Sequence, residues 1–353
     1  MTKKDAVIVY GAGISGRGAV QVLADRKQQV YLYNDMDCTL EPQLLQLLES
    51  VGGGLAIGQA AFEGLLDIAG VLVLSPGIAC DNANVLLAEQ RGLEVISEVE
   101  LGYRLYGGHI AAITGTNGKT TTTTIVGEML KRLPEPSAVG GNIGLALSKE
   151  VESLPQDGWL AAELSSFQLE KVSSFCPDIA VVLNLTPDHL ERHHTMEAYG
   201  EAKKNIFRQQ GEVQVTVLNY DDPIVRTWGA ETKGRLCYFS RKEKLQQGIY
   251  MQDGNFIISW DGKQETVCNI SELHLFGGHN EENVLAAIAC GFFAGVSISD
   301  MADVLRNFRS IEHRIEYVAT IDGVPYYNDS KATNTDSTIK ALEAFKDGHI
   351  ILL

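Results

Sequence analysis

The stretch His109-Ile-Ala-Ala-Ile-Thr-Gly-Thr-Asn-Gly-Lys-Thr-Thr121 decides how the rest of the chain is read. An apolar run of strand length enters a glycine-bearing loop, which opens into a threonine-rich helix at Lys119. Backbone N–H groups of such a loop, with the positive end of the following helix, cradle phosphate oxygens. Lys119 is placed to neutralise β- and γ-phosphates, and the Thr120 hydroxyl to meet magnesium. The common phosphate loop has four residues between its first glycine and the Gly-Lys pair. Ile113 occupies that first position here, so the tighter Gly115-Thr-Asn-Gly-Lys-Thr120 stands in its place. A strand–turn–helix junction with an incidental lysine is the plainer alternative. With flanking strand and helix both legible, binding of a nucleoside triphosphate is expected.

Outward from the loop the chain reads as α/β. Before it, strands at Ala6–Tyr10, 29–33 and 71–74 alternate with helical segments such as 15–26. Short apolar runs between helices are what a parallel sheet buried on both faces requires. After it, strands are expected at Trp159–Glu163, 179–184 and 215–218. Residues 236–275 depart from the pattern, with an antiparallel hairpin over 248–261 that turns at Asp253-Gly254. Residues 279–295 form a long apolar helix, followed by a strand at 315–321, a loop at 327–334, a helix to Phe345 and a strand at 349–353. The reading is a Rossmann-like N-terminal domain (1–98), a central P-loop α/β ATPase domain (99–310) and the start of a third Rossmann-like α/β domain (311–353). The chain stops on the strand of an unfinished βαβ unit, so a further C-terminal portion is expected.

Bulk properties narrow the function classes. A chain of 353 residues exceeds one ordinary core, and 45% hydrophobic with 21% charged residues is a globular composition. The net charge of −16 argues against a nucleic-acid binder. Six cysteines without a CxxC pair suit free thiols in a reducing cytosol. The N-terminus turns directly into a strand without a cleavable signal pattern, and the longest apolar candidate, 284–296, is too short to span a membrane. A cytoplasmic protein without membrane or nucleic-acid partners is expected.

Downstream acids and imidazoles must decide which reaction the loop serves. Glu163 ends the run Trp159-Leu-Ala-Ala-Glu163, at the C-terminal end of a strand, where open α/β sheets bind ligands. It suits the nucleotide magnesium; the alternative is an acid at a helix N-terminus. In Asn184-Leu-Thr-Pro-Asp188-His189-Leu-Glu-Arg192-His193, His189 offers an imidazole to a metal and Asp188 could orient it. His193 and His194 read as exposed loop histidines, and Lys203 as an ordinary helix lysine. The N-terminal Gly11-Ala-Gly13-Ile-Ser-Gly16, with Asp35 after the second strand, is a dinucleotide fingerprint that by itself suggests a dehydrogenase. The same turn accepts any diphosphate at a helix N-terminus.

These residues resemble the Mur ligases. The tight Gly-Thr-Asn-Gly-Lys-Thr loop, Asp188-His-Leu-x-Arg-His193, His279-Asn-x-x-Asn283, Glu312-His-Arg314 and Asp329-Ser-Lys-Ala-Thr-Asn334 occur there in this order, along the whole chain. Glu163-Leu-Ser-Ser-Phe-Gln-Leu169 and the short first domain resemble the branch that adds D-glutamate. The resemblance implies ATP-dependent ligation of D-glutamate to UDP-N-acetylmuramoyl-L-alanine through an acyl phosphate, by a monomer of the cytoplasmic peptidoglycan pathway. It implies Gly115, Thr116, Asn117, Gly118, Lys119, Thr120 and Thr121 around the phosphates. Asn283 and Arg314 would hold the adenine end and the nucleotide phosphates, and Asp329 the ribose. Two magnesium ions are implied, one on Thr120 and Glu163, the other on His189 and a carbamylated Lys203, with Lys204 as its immediate neighbour. Gly13, Ser15, Asp35, Ser75, Pro76 and Gly77 would hold the UDP moiety. Asn142, Ser165 and Gln168 would line the muramoyl-alanine, and Lys331 and Thr333 would lie near the incoming amino acid. Two other classes remain at this point: an NAD-linked dehydrogenase, which leaves the phosphate loop idle, and a non-catalytic nucleotide sensor, against which Lys119, Glu163 and His189 argue.

Overall fold

A computed structural model describes residues 5–275, 277–309, 315–332, 335–343, 345 and 349–352. The chain folds as two compact units, one of residues 1–110, 136–177 and 191–209, the other of 111–135, 178–190 and 210–353.

In the first unit, five parallel strands lie in the order Gly54–Ile57, Val30–Asn34, Ala6–Tyr10, Ala69–Leu74, Glu94–Ser97. The side-chain period of two divides the first strand between two cores. Ile8 and Tyr10 pack with Phe62, Leu66 and Leu72 on one face, while Val7 and Val9 join Val20, Leu23 and Leu32 on the other. Burial on both faces is why these strands read as continuous apolar runs. The strand order reverses between Ala6–Tyr10 and Ala69–Leu74, the switch point where such sheets bind ligands. The same unit holds the parallel pair Ser137–Gly141 and Trp159–Glu163.

Glycine is required at the turn after the first strand. Gly11 has φ +104, and a Cβ on Gly16 would stand 1.8 Å from the Gly11 carbonyl oxygen. Gly16→Ala is therefore expected to destabilise the protein by about 2–4 kcal/mol, since the obstacle is backbone. Gly13→Ala, whose Cβ would meet nothing within 4 Å, leaves stability almost unchanged. Denaturant unfolding of the two variants side by side checks this; equal stabilities would refute it.

In the second unit the strands run Lys263–Asn269, Asn255–Trp260, Gly248–Gln252, Arg235–Ser240, Val215–Asn219, Ile179–Val182 and then residues 111–114 of His109–Thr114. The first three are antiparallel neighbours, with the expected turn at Asp253-Gly254, and the remaining pairings are parallel. The parallel pattern thus continues past residue 236, through Arg235–Ser240 into Gly248–Gln252, further than the sequence reading placed it. Helix Gly278–Ala294 packs on Lys119–Leu130, where Gly291 admits the sulfurs of Met301 and Met129, 2.8 and 3.0 Å from where its Cβ would be. Among the described residues no helix is long and apolar enough to cross a membrane, and the six cysteines are free thiols.

Three local expectations need correction. The strand expected over 179–184 ends at Val182; past it the Leu183 N–H still donates to the Thr114 carbonyl, and the Asn184 side chain accepts the Asn117 N–H of the phosphate loop. The loop expected from Tyr327 begins later: Val324–Asn328 is a strand, antiparallel to Glu316–Ile321 across an Asp322-Gly323 turn whose residues both have positive φ. Residues 349–352 form no strand. A short apolar run becomes one only when a neighbouring edge receives its hydrogen bonds.

Candidate active site

In the second unit the phosphate loop is held by its neighbours rather than by its own turn. Gly118 (φ +87) caps helix Lys119–Leu130, and a Cβ there would lie 2.2 Å from Asn283 Oδ1. Asn184 clamps the loop reciprocally: its Oδ1 accepts the Asn117 N–H at 2.8 Å, and its Nδ2 donates to the Asn117 carbonyl at 3.1 Å. The Thr116 hydroxyl donates to the Thr186 carbonyl and accepts the Thr186 N–H, at 3.1 and 3.0 Å. Lys119 Nζ donates to the Gly115 and Thr116 carbonyls at 2.9 and 2.8 Å, which keeps the ammonium at the loop. Thr121 is buried in the first turn of the helix, and the Thr120 carbonyl accepts the Thr124 hydroxyl at 2.8 Å. Asn283 is buried and donates to Asn280 Oδ1 at 3.1 Å. The structure therefore brings Gly115 to Lys119 together with Asn283, and adds Asn184, which the sequence reading noted only as part of a polar cluster.

His189 follows Asp188 and has the left-handed φ of +52, uncommon for a residue with a Cβ. The Asp188 carboxylate accepts its backbone N–H at 2.9 Å and lies 3.8 Å from its Nε2, so Asp188 does neighbour this imidazole. Asp329 accepts the Ile315 N–H at 3.1 Å, and Lys331 is exposed. Arg314 and Thr333 lie outside the described residues.

In the first unit Glu163 is 2% exposed at the end of its strand. Asn142 Nδ2 donates to Glu163 Oε1 at 2.8 Å, while Oε2 is buried without a hydrogen-bond partner. A buried carboxylate oxygen left so is costly unless a cation meets it. This oxygen fits a magnesium ligand. Ser165 and Gln168 form a capping box at the next short helix, with Ser165 N–H to Gln168 Oε1 at 3.0 Å and Gln168 N–H to Ser165 Oγ at 3.3 Å. Lys203 is 1% exposed, with Nζ 4.5 Å from the centre of the Tyr199 ring. That is not the solvated helix lysine of the sequence reading.

At the switch point of the five-stranded sheet, the Ser75 hydroxyl donates to the Gly11 carbonyl at 3.1 Å, and Ser75-Pro-Gly turns back so that the Ile78 N–H reaches the Ser75 carbonyl at 3.0 Å. Gly13 and Ser15 flank the start of helix Ile14–Asp25. Asp35 has a structural job as well: it accepts the Tyr10 hydroxyl at 2.6 Å, the Tyr33 hydroxyl at 2.8 Å and Asn84 Nδ2 at 3.2 Å. Burial, with the Asp35 hydrogen bond, pushes the Tyr10 hydroxyl up to about 12 from its ordinary 10 and raises Tyr33 too. Unfolded chains ionise Tyr10 first, so its stabilising contribution is full below about pH 10 and is lost as pH rises toward 12. Tyr10→Phe is expected to lose less melting temperature than wild type across that interval; parallel curves would contradict this.

The exposed reading of His193 is also corrected. It is 6% exposed, sharing a 2.9 Å hydrogen bond between its Nε2 and Ser166 Oγ, because rings of Phe167 and Tyr199 lie 5.5 and 5.2 Å from its own. His194 is exposed, as expected.

Residues 113–291 match the Mur ligase middle domain, and residues 5–97 match the Mur ligase MurD-like N-terminal domain. The UDP-N-acetylmuramoylalanine–D-glutamate ligase of a Thermoanaerobacter species is 41% identical over 352 residues, 99% of this chain and 77% of that protein. The enzyme of the same name from Acidobacterium capsulatum is 42% identical over 356 residues, 99% of this chain and 76% of its own. Among solved structures, a UDP-N-acetylmuramate:L-alanyl-gamma-D-glutamyl-meso-diaminopimelate ligase from Neisseria meningitides aligns with a TM-score of 0.57 at 22% identity, covering 87% of this chain and 99% of that one. A MurF ligase from Thermotoga maritima in complex with ADP aligns with a TM-score of 0.55 at 18% identity, covering 96% and 71%. These two likenesses concern the fold.

Proposed function

The chain belongs to the Mur ligase family, and from that premise we propose that it joins D-glutamate to UDP-N-acetylmuramoyl-L-alanine at the expense of ATP, in peptidoglycan precursor synthesis. The observation that carries the substrates is 41% identity across 99% of the chain to a ligase of that name. The dehydrogenase and sensor readings give way to the ligase relatives matched along the chain, and the N-terminal glycines are assigned to the diphosphate of the sugar nucleotide. Residues 1–98 are assigned to the UDP-sugar, 99–310 to ATP and ligation, and 311–353 to the beginning of a third domain. We place the enzyme in the cytoplasm as a monomer.

The alanyl carboxylate oxygen attacks the γ-phosphorus of ATP, ADP departs, and an acyl phosphate remains. The D-glutamate amine then attacks the acyl carbon and loses a proton. Phosphate leaves, carrying the former carboxylate oxygen. Two anions meet in the first step, so charge neutralisation dominates the barrier. Lys119 supplies part of it at the β/γ-phosphates, with the N–H groups of Gly115 to Thr121 at the phosphate oxygens. Magnesium, when bound, supplies the remainder as a Lewis acid. Thr120 and Glu163 are assigned to one ion, the latter through its unpartnered Oε2. His189 and Lys203 are assigned to a second ion. A lysine withdrawn from water to this degree suits conversion to a carbamate, which ligates metal as an anion. Asn283 and Arg314 are assigned to the adenine end and the phosphates of the nucleotide, and Asp329 to its ribose. Gly13, Ser15, Asp35, Ser75, Pro76 and Gly77 are assigned to UDP, and Asn142, Ser165 and Gln168 to the muramoyl-alanine. Lys331 and Thr333 are assigned to the amino acid.

A coupled ADP-release assay on the full-length protein tests the reading. ADP should form with D-glutamate when UDP-N-acetylmuramoyl-L-alanine is present, and far more slowly with L-alanine, meso-diaminopimelate or L-lysine. ADP release that needs neither acceptor would overturn it.

A further inference from the structure

We propose that His193 is a positioning residue for the muramoyl-alanine site, acting through Ser166; the inference rests on the ligase reading above. The segment 165–170 carries Ser165 and Gln168, yet its helix, Ser166–Leu169, has only four residues and little to hold it locally beyond its capping box. Side chains from residues 192–205 hold it instead. Arg192 pairs with Glu170 at 2.6 Å and donates to the Ile78 carbonyl at 2.8 Å, next to the Ser75-Pro-Gly turn. Asn205 Nδ2 donates to the Leu169 carbonyl at 2.9 Å. Between them His193 Nε2 meets Ser166 Oγ, and its Nδ1 lies 3.5 Å from Glu170 Oε1. A proton on Nδ1, facing that carboxylate, leaves Nε2 to accept the Ser166 hydroxyl and fixes the ring in one tautomer.

The ring also ties the segment to helix Met196–Lys204, which carries Lys203. His193 packs on Tyr199, and Tyr199 lies under Lys203 Nζ. One imidazole therefore touches the segment that lines the substrate and a ring that supports Lys203. Ser166 is 1% exposed and His193 6%, and the hydrogen bond between them is buried. Their effect passes through the placement of Ser165 and Gln168, and a buried hydrogen bond of this kind, once broken, leaves its partner unsatisfied.

The test separates position from packing. His193→Phe keeps a ring of similar size between Phe167 and Tyr199 but deletes the hydrogen bond; His193→Gln keeps an amide able to reach Ser166. Ser166→Ala removes the bond from the other side. Calorimetric dissociation constants for UDP-N-acetylmuramoyl-L-alanine and KM for ATP are measured for each, and for the double variant. His193→Phe and Ser166→Ala should each weaken the UDP-sugar about 5- to 20-fold with KM for ATP within about twofold. The double variant should be no worse than either single one, and His193→Gln should recover most of the affinity. Unchanged UDP-sugar affinity in His193→Phe and Ser166→Ala would overturn the inference, as would additive losses in the double variant. A wild-type protein that binds the UDP-sugar but makes no D-glutamyl product would sink the ligase reading instead, while these affinities would still decide the role of His193.

Discussion

Lys119→Ala is expected to lower the rate of ADP-forming ligation by about a thousandfold, while UDP-N-acetylmuramoyl-L-alanine binds within about twofold of wild type. The ammonium donates to the Gly115 and Thr116 carbonyls at 2.9 and 2.8 Å, so it is held at the loop assigned to the phosphates. Little is lost from the fold by truncation, because the loop keeps its Asn184 clamp and the Thr116–Thr186 pair. What is lost is a fixed positive charge at the moment a carboxylate approaches the γ-phosphate. That charge is worth most in the transition state, so the deficit should appear in kcat. Steady-state kinetics of ADP release together with calorimetry of the UDP-sugar check both halves; near-wild-type turnover would contradict the role.

Glu163→Gln should move activity and stability in opposite directions. The wild-type carboxylate is 2% exposed, with one oxygen accepting Asn142 and the other unpartnered. In chelator, an unpartnered buried charge opposes folding, and an amide of the same shape keeps the Asn142 bond at lower cost, about 1–3 kcal/mol less. The variant should therefore melt several degrees higher in chelator, gain less from added magnesium, and ligate about a hundred- to a thousandfold more slowly. A rise in melting temperature with undiminished ligation would remove Glu163 from the metal site. A fall would mean its charge is compensated within the fold.

Features carried by neighbouring residues were the ones legible in the sequence. The phosphate loop, the strands Ala6–Tyr10, His109–Thr114 and Trp159–Glu163, and the Asp253-Gly254 hairpin all announce themselves within a dozen residues. Asp322-Gly323 carries the same hairpin signal, and reading its neighbourhood as a motif-bearing loop hid the strand Val324–Asn328. Ser137–Gly141 is illegible for another reason: a small-residue stretch becomes a strand only because Trp159–Glu163 pairs with it. Long-range contacts account for the remaining surprises. Asn184 looks like a strand-end asparagine until it is seen to clamp Asn117, 67 residues earlier. His193 looks like its exposed neighbour His194 until Ser166, 27 residues earlier, closes over it. Lys203 likewise betrays no special setting by charge or spacing; its burial comes from tertiary packing.

In the proposed reaction the γ-phosphate of ATP passes to a carboxylate oxygen of the sugar-linked alanine. UDP-N-acetylmuramoyl-L-alanine labelled with heavy oxygen in that carboxylate, turned over with ATP and D-glutamate, measures it directly by mass spectrometry of the released phosphate. Each phosphate released should carry one labelled oxygen, and the amide product should retain the other. Unlabelled phosphate accompanying ligation would contradict the account.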